Sequence, residues 1–217
     1  MPLTPLGDAL ETILKTADMT PEAERVRLQD AINRYVAEAV CAPRPVPPAD
    51  NSAMDGYAVR SGEVPGLLPV SQRIPAGSVP ANLEPGTVAR IFTGAEIPSG
   101  ADAVIPQEAA EETGAGIQLP SAVAGQHIRR CGDDIEPGDC LVARGHCLRP
   151  QDIGLLAAVG IDSVSVYRPL KVAVLTTGDE LRDPGEGELK PGEIFNSNRW
   201  TLSHQIRALG FLVTRSE

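Results

Sequence analysis

Aromatic side chains are nearly missing: three Phe, three Tyr and one Trp in 217 residues. Any core built from this chain is therefore mostly aliphatic. Long apolar runs are missing as well. The longest uncharged apolar stretch is Ile153 to Ile161, well short of the roughly 20 residues a membrane-spanning helix needs. No membrane role is expected. Basic charge is scarce: 19 Lys and Arg face 29 Asp and Glu, a net charge of −10. That balance excludes a chain that wraps nucleic acid or lies on an anionic membrane. Cysteine is limited to Cys41, Cys131, Cys140 and Cys147, with no C-x-x-C pair. These read as free thiols in a reducing cytoplasm. The rival reading, a metal site from Cys131, Cys140, Cys147 and His127 or His146, fits no zinc-module spacing. Met1-Pro2-Leu3-Thr4 has no basic region followed by an apolar one, so no signal peptide is expected.

Glycine and proline, in contrast, are plentiful, and they are unevenly placed. Between Pro43 and Gly145 lie 13 of the 20 prolines and 13 of the 21 glycines. Short β-favouring runs sit between these breakers: Tyr57-Ala58-Val59, Val88 to Phe92, Ala103-Val104-Ile105, Ile117-Gln118-Leu119 and Cys140-Leu141-Val142. Many short strands with frequent turns predict a small barrel- or sandwich-like domain. The stretch Glu84 to Asp139 also carries most of the negative charge, with ten acids against three bases.

The flanks read differently. Leu6, Leu10, Ile13, Leu14 and Ala17 recur at helical spacing, with Thr4 as cap and Pro5 in the first turn. A second helical pattern starts near Leu28 and runs through Ala31, Ile32, Tyr35 and Val36, although Tyr35-Val36 and Val40 also suit a strand. Pro150 opens a helix through Ile153, Leu155, Leu156 and Val159 that Gly160 closes. Ser163 to Val166 reads as a strand. The run Lys171 to Thr177 reads as a parallel strand covered on both faces. A helix from about Asn198 to Leu209 and a strand at Phe211 to Thr214 complete a β-α-β unit. The expected fold is mixed α/β and multidomain. A helical linking domain takes 1–45 and 146–168, a β-rich domain 46–145, and the start of a parallel-sheet α/β domain 169–217. Two parallel strands cannot bury both faces, so the chain is expected to be part of a longer protein.

Four segments concentrate polar chemistry. Asp50-Asn51-Ser52-Ala53-Met54-Asp55-Gly56 packs acids, an amide and a hydroxyl into one loop; it suits ligand contact or a simple Asx-type turn equally. Arg90 to Val104 runs a strand into Thr93-Gly94, where a hydroxyl meets a flexible backbone. Read alone, that is a hairpin connection. Gly132-Asp133-Asp134-Ile135 precedes a Pro-Gly turn, where adjacent acids often only keep a turn soluble. Thr176-Thr177-Gly178-Asp179-Glu180 ends a parallel strand, the place where open α/β sheets hold ligands.

Together these segments resemble the MoeA-type molybdopterin molybdenumtransferases, to which gephyrin's C-terminal region is also similar. The resemblance rests on Asp50 to Ala58, Phe92-Thr93-Gly94-Ala95 with Gly100 to Val104, Gly132 to Ile135, Gly154 to Ala157, Thr177 to Leu181, and Pro191 to Ile194 with Asn196-Ser197-Asn198. It implies insertion of molybdenum from molybdate into adenylylated molybdopterin, with release of AMP and help from Mg²⁺. It implies Asp55, Thr93, Asp134 and Glu180 as catalytic residues, Asp55, Asp134 and Glu180 as metal holders, and Ser52 and Gly178 as substrate contacts. It also implies a homodimer and a molybdopterin-binding type of α/β domain after residue 169. A silent binding or scaffold protein of the same architecture is the alternative. Asn33 stands where the family pattern expects Gly after the second helix, and Arg149 where a Thr cap is usual. The family pattern continues beyond residue 217, so the 217-residue form is expected to lack part of what activity needs.

Overall fold

A computed structural model describes residues 4–16 and 21–215. The chain divides into two compact units. One holds Cys41–Leu141 with Ala158–Gly160; the other holds Met1–Val40, Val142–Ala157 and Ile161–Glu217. Its content is mostly β, with three α-helices among the described residues. No helix there is long and apolar enough to cross a membrane.

The strand Gly56–Val59 lies in the middle of the first unit. It pairs antiparallel with Val88–Ile91 on one side and with Ala103–Pro106 on the other. Val70–Ile74 adds to Val88–Ile91 in parallel. All four residues of the central strand are buried. Alternate side chains leave a strand on opposite faces, and both faces are filled here. Tyr57 and Val59 pack with Val88, Ile105, Ile117 and Leu119, whereas Ala58 packs with Ile74, Leu83, Ile91 and Val104. Two-sided burial is why these strands read as apolar runs rather than alternating ones. Ile117 and Leu119 come from a second, antiparallel sheet of Gly66–Leu68, Gly116–Leu119 and Glu111–Thr113. Gly56 permits the closest approach: a Cβ there would lie 2.0 Å from the Ile105 carbonyl oxygen.

The expected short strands are all present, but no sheet among the described residues closes into a barrel. The β-rich region holds a four-stranded and a three-stranded open sheet that share an apolar layer, with a further two-stranded pair of Asn51–Ser52 and Ile128–Arg129. The four cysteines are free thiols.

In the other unit the Leu6–Lys15 helix forms as its periodicity predicts, without a side-chain cap from Thr4. Ala17 of that pattern lies outside the described residues. The helix buries nothing: Leu6, Leu10, Ile13 and Leu14 are all exposed. The second predicted helix is overturned. Only a single 3₁₀ turn, Leu28–Asp30, forms there, and Tyr35 and Val36 make antiparallel bridges to Cys147 and Val166. Pairing across the chain outweighs local propensity. The strand Ala23–Arg27, absent from the sequence reading, pairs with Ser163–Tyr167. Asn33 adopts φ 60°, the left-handed turn for which glycine was expected.

The Pro150–Ala158 helix starts on Asp152 rather than on a Thr cap. Its carboxylate accepts the Arg149 backbone N–H at 2.9 Å and the Arg149 guanidinium at 3.0 Å, and lies 2.8 Å from His146 Nε2. The Arg149 side chain, then His146, holds this carboxyl well below the usual range. Arg149 therefore does not cost the helix its cap, because the third helical residue supplies it.

Lys171–Val174 and Leu212–Arg215 pair in parallel, with the Ser197–Ala208 helix between them in sequence. The expected coverage of both faces is not met. Residues of Lys171–Val174 alternate between exposed and half-buried, and Leu175 is 67% exposed. Two strands offer too little surface to enclose their own apolar residues.

Candidate functional site

Chemistry-bearing residues gather in two places, one in each unit. In the first unit, Asn51–Ser52 pairs with Ile128–Arg129. Gly94, at φ 80°, turns the chain so that its N–H reaches the Ser52 carbonyl at 2.9 Å. Ser52 N–H in turn donates to Ala95 at 2.9 Å. This double tie brings the Asp55 loop and the Thr93 turn together. Asp55 Oδ1 accepts the Thr93 backbone N–H at 2.8 Å and the Thr93 hydroxyl at 2.7 Å. The Gln107 N–H holds the Asp55 carbonyl at 3.0 Å. The two donors on Thr93, backbone first, together with the nearby charge of Arg90, lower the Asp55 carboxyl below its ordinary value.

Ser52 is 1% exposed, and its hydroxyl donates to the Met54 carbonyl at 2.6 Å. It shapes the turn from inside. Asp134 forms an ion pair with Arg129. Asp50, the first residue of the same loop, accepts the Cys131 N–H at 2.9 Å and pairs with Arg130. The Cys131 N–H is the main cause lowering its carboxyl. Arg90, Arg129 and Arg130 are thus site neighbours that the sequence reading passed over. The strongly acidic balance hid them, although Arg129-Arg130 directly precedes the Gly132 to Ile135 segment.

In the second unit, Thr176, Gly178, Asp183, Asn196 and Arg199 line a polar cavity of about 360 Å³. Asn196 is buried and does two jobs. Its Oδ1 accepts the Arg199 N–H at 3.2 Å, capping the helix, and its Nδ2 donates to Thr176 Oγ1 at 2.7 Å. Arg199 pairs with Asp183. Gly178 has φ 152°, and a Cβ there would lie 2.6 Å from the Glu180 carboxylate. Gly178 and Glu180 are therefore close neighbours, with Glu180 exposed. The Asp183–Arg199 pair was not expected. An Asn cap followed by an Arg in the first helical turn was its only trace in the sequence.

Among the described residues no group of three or more His, Cys, Asp and Glu side chains could hold a metal ion. Asp55 is bonded to Thr93 and Asp134 to Arg129. Among the described residues the carboxylates expected to hold Mg²⁺ are not part of any such group.

The chain matches a family described as MoeA N-terminal region (domain I and II) over residues 4–160. It is 41% identical over 211 residues to a molybdopterin molybdenumtransferase of Haemophilus influenzae, which covers 94% of this chain and 52% of that protein. It is 40% identical over 197 residues to molybdopterin molybdenumtransferase 2 of Mycobacterium tuberculosis, covering 87% and 48% respectively. A solved structure, the molybdopterin biosynthesis moeA protein from Pyrococcus horikoshii OT3, superposes with a TM-score of 0.92 at 32% identity, over 100% of this chain and 60% of that one. The chain spans about half the length of the curated relatives it matches.

Proposed function

We propose a function from one premise: the chain belongs to the MoeA family, which it matches through that family's N-terminal region. Relatives of about 40% identity are named molybdopterin molybdenumtransferases. For this chain we propose the corresponding place in molybdenum cofactor biosynthesis. Molybdate supplies the metal, adenylylated molybdopterin accepts it, and AMP leaves.

The observation that carries this reading is the Asp55–Thr93 contact. Asp55 is held ionised, and the Thr93 hydroxyl proton points at its Oδ1. The hydroxyl's lone pairs are then left to accept a hydrogen bond from a ligand. Asp55 Oδ2 carries no hydrogen bond among the described residues and is open to a donor. An ionised carboxylate beside a positioned hydroxyl can move protons as ligand bonds to molybdenum are exchanged. Asp134 is paired with Arg129, which lies opposite Asn51 on the neighbouring strand, and we propose a catalytic part for it as well. Gly178 lines the cavity of the α/β unit, and the exposed Glu180 carboxylate lies next to it; we propose substrate contact for Gly178 and a catalytic part for Glu180. For Ser52 we propose an indirect part, through the turn that carries Asp55. For the Mg²⁺ ion that the resemblance implies, we propose no ligand set from this chain.

We further propose a domain plan of 1–45 with 146–168, 46–145 and 169–217, a cytoplasmic location that suits the free thiols, and a homodimer. The exposed apolar stripe of the Leu6–Lys15 helix supports the last. The test is molybdenum insertion by the protein at its native length. Asp55→Asn and Glu180→Gln should each lower turnover by about 10²-fold or more, with thermal midpoints unchanged. Wild-type turnover in both variants would overturn the proposal and favour a binding or scaffold role.

A further inference from the structure

The sheet of the first unit ends in an unusual group. Arg73 on the strand Val70–Ile74 lies directly opposite Arg90 on the strand Val88–Ile91. Like charges placed opposite each other on neighbouring strands repel. Both guanidinium carbons sit 4.5 Å from the centroid of one ring, Phe92, and Arg90 also lies 5.3 Å from the Tyr57 ring. Arg90 is fixed further by the Gly56 carbonyl at 2.9 Å and by the Gln107 side chain. Neither arginine has a carboxylate partner, and the Arg73 guanidinium has no hydrogen-bond or ion-pair partner among the described residues. Arg129 and Arg130, in the same unit, are each paired with an aspartate.

The Arg73 charge is thus left without a counter-charge, and Arg90 has only the nearby Asp55 carboxylate and no ion pair, on a protein of net charge −10. The aromatic faces hold them in place. The next residue after Phe92 is Thr93, and the Arg90 charge is felt at Asp55. A fixed pair of guanidiniums presents several N–H donors in planar forks, the geometry that tetrahedral oxyanions accept.

We infer that Arg73 and Arg90, braced by Phe92, form an oxyanion-binding wall beside the Asp55–Thr93 pair. Arg90 supplies charge and a fixed position, and Arg73 supplies the free donors. The ligand is a tetrahedral oxyanion. Its assignment as molybdate or as a substrate phosphoryl group rests on the function proposed above; the binding itself does not.

The test is calorimetric titration of the protein at low ionic strength, with sodium molybdate in one arm and AMP in the other. Arg73→Gln should weaken binding about tenfold in at least one arm, and Arg73→Lys should fall between it and wild type. Arg25→Gln, in the other unit, should leave binding unchanged. Thermal midpoints confirm that each variant is folded. Loss in the molybdate arm alone identifies the metal oxyanion; loss in the AMP arm alone identifies the phosphoryl group; loss in both identifies a shared oxyanion site. No binding by the wild type, unchanged binding in Arg73→Gln, or an equal loss in Arg25→Gln would overturn the inference. Arg73-dependent binding, together with normal insertion by Asp55→Asn, would instead contradict the function and leave the oxyanion site standing.

Discussion

The Gly56–Val59 sheet and the Lys171–Arg215 stretch are built from similar apolar runs, yet they end in opposite conditions. In the first, every residue of the central strand is buried and both faces are packed. In the second, Leu175, Ile194, Trp200 and Leu212 are about half exposed or more. The difference is strand count. A four-stranded sheet with a second sheet against it can enclose Val59 and Ala58 at once, whereas a two-stranded parallel pair leaves one surface bare. The residues with locked geometry, Asp55 and Thr93, sit in the loop and the turn at the end of the packed sheet. Glu180 sits in a turn of the open stretch, where it is exposed.

Two substitutions probe that contrast directly. Gly56→Ala would force a methyl into the Ile105 carbonyl, and the packed unit should lose about 3 kcal/mol or more, read by chemical denaturation. A smaller loss would mean that the neighbouring Ala103–Pro106 strand can retreat, and that the packing is looser than described. A matched pair of truncations sharpens the comparison. Val59→Ala removes a fully buried side chain and should cost about 2 kcal/mol. Val172→Ala removes a half-buried one and should cost less than about 1 kcal/mol. Equal costs would erase the distinction between the two regions.

Much of the packed region was legible because its signals are local. Short apolar runs bounded by Gly and Pro marked the strands at Tyr57, Val88, Ala103 and Ile117. Asn33 was readable for the same reason, since left-handed backbone is a property of one residue. The failures are non-local. Pro21 to Arg27 is rich in Glu, Ala and Arg, yet Ala23–Arg27 is a strand because Ser163–Tyr167, far along the chain, pairs with it. Leu28 to Val36 has helical spacing, but only Leu28–Asp30 turns, and Tyr35 and Val36 take the alternative, extended reading by bridging to distant residues. The site divides in the same way. The Asp55 and Thr93 motifs were visible, but their contact depends on the tie between Ser52, Gly94 and Ala95. The opposition of Arg73 and Arg90 depends on strand register, which no composition reveals.

The contact between Thr93 and Asp55 is the centre of the account, and paired hydroxyl variants test it most directly. Thr93→Ser keeps the hydroxyl and Thr93→Val removes it at nearly constant shape. The account predicts that molybdenum insertion by the native-length protein survives the first and falls about tenfold or more in the second. Normal insertion by Thr93→Val would contradict it.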